Sequence, residues 1–341
     1  MLTSACSLSG CAVGYLLQAG RGQWQLLRAR VPLERVIERD STAAPLRARL
    51  ALVRDAREFA SRELGLPDNR SYRSYSALGR DYVVWNVVAA PEFSVAPKRW
   101  WFPVTGTIAY RGYFREASAR RYAAALAARG YDTFVGGVMA YSTLGHFADP
   151  VLDTMLRYGD LQLAGTIFHE LAHQLIYVKG DSEFNEAFAT SVENEGVARW
   201  LAACGRGGEL EAYRARQQQQ GQVIGLLAAG RQQLAELYRR MLPLEQRRAR
   251  KQELLAATTA AVRDYEQRQG VRSGYDAWLD AGLNNAHLAA VATYQDCVPG
   301  FQQLLARHGG RLPEFYAAVR ALGRGPDAAR RRLCGQAPAA S

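Results

Sequence analysis

From about residue 159 to residue 323, almost every window of the chain carries helical periodicity. This run constrains the fold more than any other feature. Apolar residues recur at helical spacing over 160–179, 183–203, 208–240, 244–269, 276–282, 284–295, 298–308 and 312–322, with Gly or Pro at most of the breaks. Upstream the pattern is different. Ser41 can cap a helix whose stripe includes Leu46, Leu50, Val53 and Phe59 and which ends near Gly65-Leu66-Pro67. Segments 82–90 and 101–110 are β-branched and aromatic, which predicts strands. A helix is expected over 116–129, closed by Gly130, and another strand over 131–141, with the pair Gly136-Gly137 inside it. A helix, then a small sheet, then a helical body predicts an α+β fold. The expected layout is a single domain over 12–323, with a sheet-containing part at about 41–158 and a helical part at about 159–323. Residues 324–341, rich in Arg, Ala, Gly and Pro, are expected to form a disordered tail.

The net charge is +11, and all but three of the 43 basic residues are arginine. The bases are spread along predicted helices rather than clustered beside aromatics, which argues against a nucleic-acid face. The densest runs are Arg247, Arg248, Arg250 and Lys251, and then Arg330, Arg331 and Arg332. A solvated helix face and a loose tail account for them.

One segment carries chemistry: Thr166-Ile167-Phe168-His169-Glu170-Leu171-Ala172-His173-Gln174-Leu175. It is an HExxH motif on an apolar helix, and it holds two of only five histidines. His169 and His173, at i and i+4, project from one face and can supply two nitrogens to a tetrahedral Zn²⁺. Glu170 is rotated about 100° from His169 and can act as general base toward water. A third ligand is needed, and Glu183, Glu186, Glu193 and Glu195 follow downstream. With the motif helix ending near Lys179-Gly180, and Asp181 or Ser182 capping the next, an antiparallel return brings Glu186 level with His173. Glu193 lies two turns on and is the next candidate, as the ligand or as an acceptor for a histidine N–H. Glu183 and Glu195 are expected to face solvent.

Asn185-Glu186-Ala187-Phe188-Ala189 is similar to the Asn-Glu-Gly-Phe-Ala of gluzincin aminopeptidases, in which that Glu is the third zinc ligand. Twelve residues separate His173 from Glu186, fewer than is usual there. More of the chain resembles a family of predicted bacterial aminopeptidases and lipoproteins. The matching stretches are Ala109-Tyr110-Arg111-Gly112-Tyr113-Phe114, Val135-Gly136-Gly137-Val138, Ala140-Tyr141-Ser142-Thr143-Leu144-Gly145, His169 through Gly196, and Asn284-Asn285-Ala286-His287. The resemblance implies a zincin-like body, a zinc peptidase activity and export. Zn²⁺ would be held by His169, His173 and Glu186, with Glu170 as base and a peptide as substrate. A second donor to the oxyanion is expected among Tyr141, Tyr113, Tyr177 and His287, with Tyr141 first because it follows the strand with the glycine pair. In gluzincins the corresponding edge strand binds the substrate backbone, and glycines there would let a peptide approach closely. The acid with which aminopeptidases hold the substrate amine in that strand is absent. An envelope endopeptidase and a non-catalytic metal-binding lipoprotein therefore stay open beside the aminopeptidase.

Leu8-Ser9-Gly10-Cys11 is similar to a bacterial lipoprotein cleavage box, in which the Cys becomes residue one and carries the lipid. Residues 1–11 then read as the remnant of a lipoprotein signal, and the protein as membrane-anchored through Cys11 on the periplasmic side. The alternative is that Cys6 and Cys11 are plain cysteines in a frayed terminus. Of Cys204, Cys297 and Cys334, a Cys204–Cys297 disulfide and buried free thiols are the two readings, the thiols slightly favoured.

Overall fold

The computed structural model describes residues 6–102, 106–295 and 297–335. In chain order its elements are α1 (Cys6–Arg28), β1 (Val31–Pro32), α2 (Leu33–Glu38), α3 (Ala44–Arg62), β2 (Ser74–Ser76), β3 (Val84–Pro91), β4 (Trp100–Phe102), β5 (Gly106–Ile108), β6 (Arg111–Tyr113), α4 (Glu116–Ala127), β7 (Tyr131–Val138) and β8 (Val151–Leu152). A 3₁₀ turn (Met155–Arg157) precedes α5 (Asp160–Leu175), α6 (Ser182–Ala203), α7 (Gly208–Arg239), α8 (Leu244–Gln269), α9 (Asp276–Ala281), α10 (Asn285–Gln295), α11 (Val298–Arg307), α12 (Leu312–Arg324) and α13 (Asp327–Leu333). Helix makes up 62% and strand 10%, the strands in small sheets, so the fold is α+β with a mostly helical body. No described helix is long and apolar enough to cross a membrane.

The chain forms two compact units. The first comprises Met1–Asn86, Gly112–Arg121 and Gly136–Leu175. Its centre is the packing of α3 on α5. Leu50, Val53, Ala56 and Ala60 of α3 are buried, as are Leu163, Ile167, Phe168 and Leu171 of α5. The Phe59 and Phe168 rings meet at 6.0 Å. Burying a large apolar side chain contributes roughly 1.5–3 kcal/mol, so this stripe fixes how α5 is rotated. The cap of α3 is not Ser41 but Ala43, and Pro45 presets the first turn without any side-chain bond. Strands β1, β2 and β8 form a sheet, antiparallel through Val31 and Tyr75 and parallel through Tyr75 and Val151.

Arg57, on the buried side of α3, is 1% exposed. Its guanidinium donates to the carbonyls of Ser71 (3.0 Å), Pro67 (2.8 Å) and Asn69 (3.0 Å) and to the Ser61 hydroxyl (2.5 Å). Burial pushes its pKa down, yet four bonds satisfy the cation and clamp loop 67–71 in place.

The second unit comprises Val87–Arg111, Tyr122–Val135 and Ile176–Ser341. Helices α7 and α8, joined by residues 240–243, pack along one another through Val223, Leu227, Leu234, Leu255 and Val262. At Gly230 they approach so closely that a Cβ would lie 2.1 Å from the Thr258 Oγ1. Helix α6 packs against α7, α10 and α11. Its Phe184 and Phe188 meet Phe301 at 5.0 and 6.0 Å, and Phe188 also meets Phe315 and Tyr316. Lys251, which the sequence places in a solvated basic run, is 5% exposed. Its ammonium pairs with Asp132 (2.7 Å) and donates to the Glu92 carbonyl (2.9 Å). Asp132 also accepts from the Asn285 backbone N–H.

Strands β6, β3 and β7 form a three-stranded sheet in that order. The expected single strand over 101–110 is instead the hairpin β4–β5, with Phe102 opposite Gly106. Gly106, the first residue of β5, takes φ +77°, a left-handed conformation that favours glycine. The segment after Gly323, read from the sequence as a disordered tail, carries α13. Arg330 pairs with Asp181 at 2.7 Å, and Cys334 is bonded to Cys297, so the segment is tied down. The disulfide is therefore Cys297–Cys334 and not Cys204–Cys297, and Cys204 is an exposed free thiol rather than a buried one. Residues 336–341 lie outside the described residues, as do residues 1–5 of the expected lipoprotein signal.

Gly230→Ala is expected to lower stability by about 1–3 kcal/mol, because the added methyl overlaps Thr258. Gly225, on the same helix with nothing within 4 Å, should respond to Ala with the opposite sign. Urea midpoints of the two variants check both signs.

Candidate metal centre

Helix α5 carries the HExxH motif, and its buried stripe leaves the motif on the remaining face. His173 is buried; His169 and Glu170 are partly exposed. The two Nε2 atoms are 3.1 Å apart, with ring centroids at 4.8 Å and planes at 82°. Two nitrogens bound to one tetrahedral Zn²⁺ at about 2.0–2.1 Å would sit roughly 3.3 Å apart. The pair is thus preset at ligand spacing by one helical turn.

The helix ends at Leu175, earlier than the Lys179-Gly180 that the sequence suggests. The Asn185 side chain braces the turn that follows. Its Oδ1 accepts from the Val178 N–H (2.7 Å) and its Nδ2 donates to the Val178 carbonyl (2.8 Å), so that backbone is claimed by a side chain and not by a helix. Gly180 takes φ +85°. Of the two expected caps, Asp181 and Ser182, it is Asp181 that caps α6, accepting from the Phe184 N–H at 3.2 Å. Glu186 then falls on the first turns of α6, and its charge adds to the burial that pushes Tyr177 up to about 12.

His169, His173 and Glu186 each offer one ligand atom, and these atoms lie within 4.8 Å of one another. Two imidazoles and one carboxylate at that spacing could hold a metal ion. Glu183, Glu193 and Glu195 are outside the group. Glu195 is paired with Arg199 at 2.7 Å. The charge of Glu193 bears on Tyr213 of α7, whose pKa is raised first by burial.

The expected oxyanion donors are distributed as follows. Tyr141 packs edge-on to Phe114 at 5.6 Å, and burial, with Asp149 and Tyr15 adding, pushes it up to about 12. It is therefore a protonated donor at neutral pH. Tyr113 is buried and packs edge-on to Tyr15. His287 is buried between Phe134 and Trp278, each at 4.9 Å, and accepts from the Asn284 N–H through Nδ1. That bond fixes the proton on Nε2 in the neutral ring. A Cβ at Gly137 would strike the Tyr82 ring at 2.4 Å, so packing accounts for that glycine.

Beside α5 in the first unit lies a polar cluster that sequence reasoning missed. Asn69 donates to Gln174, one helical turn after Glu170 on the same face, at 2.7 Å. Asp149, 1% exposed, accepts from the Thr143 N–H and hydroxyl, both at 2.8 Å. Burial raises it to about 6, against the Thr143 bonds, and the Glu170 charge adds to the rise. The Asp149 carbonyl accepts from the Tyr72 N–H at 2.6 Å. Tyr72 has φ +60° and no exposed surface, a combination that costs about 1–3 kcal/mol in backbone strain. These residues sit in loops without periodicity, so no sequence signal marks them.

A family model described as "Putative aminopeptidase" matches residues 14–334, and the chain belongs to that family. No curated protein and no solved structure matches it.

The burial of His287 has a consequence for stability. Burial depresses its pKa from 6.5 to about 4, so between those values the unfolded chain binds a proton that the native ring refuses. Its contribution is complete above pH 6.5 and is lost, up to about 3 kcal/mol, as pH falls toward 4. Urea titrations from pH 7 to 4.5 should show wild type losing stability relative to His287→Phe; parallel curves would contradict the assignment.

Proposed function

We propose that the protein is a zinc-dependent aminopeptidase, with His169, His173 and Glu186 as metal ligands and Glu170 as general base. The observation that carries this reading is the imidazole pair of an HExxH helix at 3.1 Å, with a carboxylate in the same 4.8 Å group. The donor set suits Zn²⁺, which takes two histidines and a carboxylate in hydrolytic sites and leaves one position open. Membership of the aminopeptidase family supports the reaction class.

A bound Zn²⁺ supplies Lewis acidity and brings the pKa of water to near 7. Glu170, partly exposed and turned away from the two ligands, takes a proton from the attacking water and returns it to the leaving amine. Tyr141 keeps its proton at neutral pH and donates to the oxygen on which charge develops. The peptide is the substrate.

One observation favours the endopeptidase alternative. The acid of β7, Asp132, is taken by Lys251 and Asn285, so it does not hold a substrate amine. Export as a periplasmic lipoprotein rests on the Leu8-Ser9-Gly10-Cys11 box, with membrane attachment through a lipid on Cys11. On this reading Cys11→Ser moves the protein from the membrane fraction to the soluble fraction of cells.

The central test compares wild type with Glu170→Gln. About one zinc per chain is expected in both, with hydrolysis of aminoacyl p-nitroanilides lost by about 10²-fold or more in the variant. Cleavage of N-blocked peptides by wild type would move the assignment to endopeptidase. A wild type that binds no zinc would remove the ligand set.

A further inference from the structure

We propose that the turn between α7 and α8 is a membrane-contact site: Met241 and Leu244 insert into the surface of an anionic phospholipid bilayer, and the arginines flanking them bind its headgroups. The inference is independent of the peptidase reading and of a lipid on Cys11.

Three observations carry it. First, the turn presents apolar side chains to water. Met241 is 98% exposed and Leu244 50%, and Pro243 between them is exposed as well. Single exposed apolar residues are common on protein surfaces, but these stand together where two long helices meet. Second, the turn is held in shape. Leu242 packs against the apolar core of α7 and α8, which leaves Met241 on the outer side. The Arg247 guanidinium donates to the Arg240 and Leu242 carbonyls (3.2 and 3.3 Å) and lies over the Phe93 ring at 5.1 Å. An apolar tip that is already ordered loses little conformational entropy on insertion. Third, positive charge surrounds the tip. Residues 239–250 include five arginines and one glutamate. That glutamate, Glu245, is paired with Arg248 at 3.0 Å, and Glu92 is paired with the same arginine at 2.6 Å. Arg239 and Arg240, immediately before Met241, are exposed and pair with no acid among the described residues.

Charge and shape select the occupant. Unpaired cations beside exposed apolar side chains match the phosphates and the acyl boundary of an anionic bilayer, where each arginine near the surface strengthens binding about fivefold. Three apolar side chains bury far less than the about 1,200–2,000 Å² of a stable protein–protein interface. A nucleic acid would engage the arginines and leave Met241 and Leu244 in water.

The test is co-sedimentation of the whole chain with vesicles of phosphatidylcholine alone or with about 30% phosphatidylglycerol. All proteins carry Cys11→Ser, so that no acyl chain contributes. Binding to the anionic vesicles is expected to be about tenfold tighter than to the neutral ones and to weaken in about 0.5 M salt. Met241→Ser with Leu244→Ser, and separately Arg239→Gln with Arg240→Gln, should each weaken it by about tenfold or more. The melting temperature should stay at the wild-type value, because the altered side chains are exposed. Equal binding to both kinds of vesicle, or none, overturns the proposal. So does anionic binding that the serine pair leaves unchanged, since the contact then lies elsewhere or is purely electrostatic. A wild type that ignores vesicles but self-associates in sedimentation velocity, with the serine pair monomeric, would assign the tip to a second copy of the chain instead.

Discussion

Burial of the apolar stripe of α5 against α3 is the constraint from which the motif's geometry follows. Leu163, Ile167, Phe168 and Leu171 are fully enclosed, and each would lose its transfer free energy if the helix turned on its axis. A rotation of one residue would also carry the Glu170 carboxylate into that apolar contact, where an unpaired charge is expensive. The helix therefore has one rotational setting, and in it His169 and His173 stand side by side at 3.1 Å. The helical period sets the spacing of the pair, and hydrophobic packing sets the face on which the pair stands.

Around that helix, polar side chains rather than regular structure order the loops. Arg57 satisfies its buried charge on three loop carbonyls and a hydroxyl. Asn185 bonds both backbone groups of Val178 and so orders the turn that leads into α6. In the second unit Lys251, Asp132 and Asn285 form a buried network that reaches the Glu92 carbonyl. In each case a buried polar atom must find a partner, and the loop backbone is the partner nearest to hand. Removing one member would leave the rest unpaired in a low-dielectric interior.

The charge excess is distributed by the same logic. Many arginines sit on exposed helical faces beside acids three or four residues away, as with Arg120 and Glu116, Arg250 and Glu253, and Arg268 and Asp264. Such exposed pairs contribute little each. Lys251, in the same run as Arg250, is different only because its position on α8 turns it inward toward Asp132.

The sequence by itself determined the helical body. Period and Gly or Pro breaks placed α8 over its full length and α6, α7, α10 and α11 to within a residue or so, because an amphipathic helix records its buried face in its own spacing. It also determined the motif and narrowed the cap of α6 to Asp181 or Ser182, both set by contacts within a few residues. Tertiary structure decided the rest. The split of 100–108 into the paired strands β4 and β5 is not marked by composition, and beyond Leu175 the backbone at Val178 is bonded by the Asn185 side chain, seven residues on. Cys297 pairs with Cys334 because the chain brings α13 back, not because of their spacing. Tyr72 and Asp149 are remote in sequence and meet only when two aperiodic loops close on α5. Local periodicity is written in the chain, whereas partners for buried polar atoms are chosen only when distant segments come together.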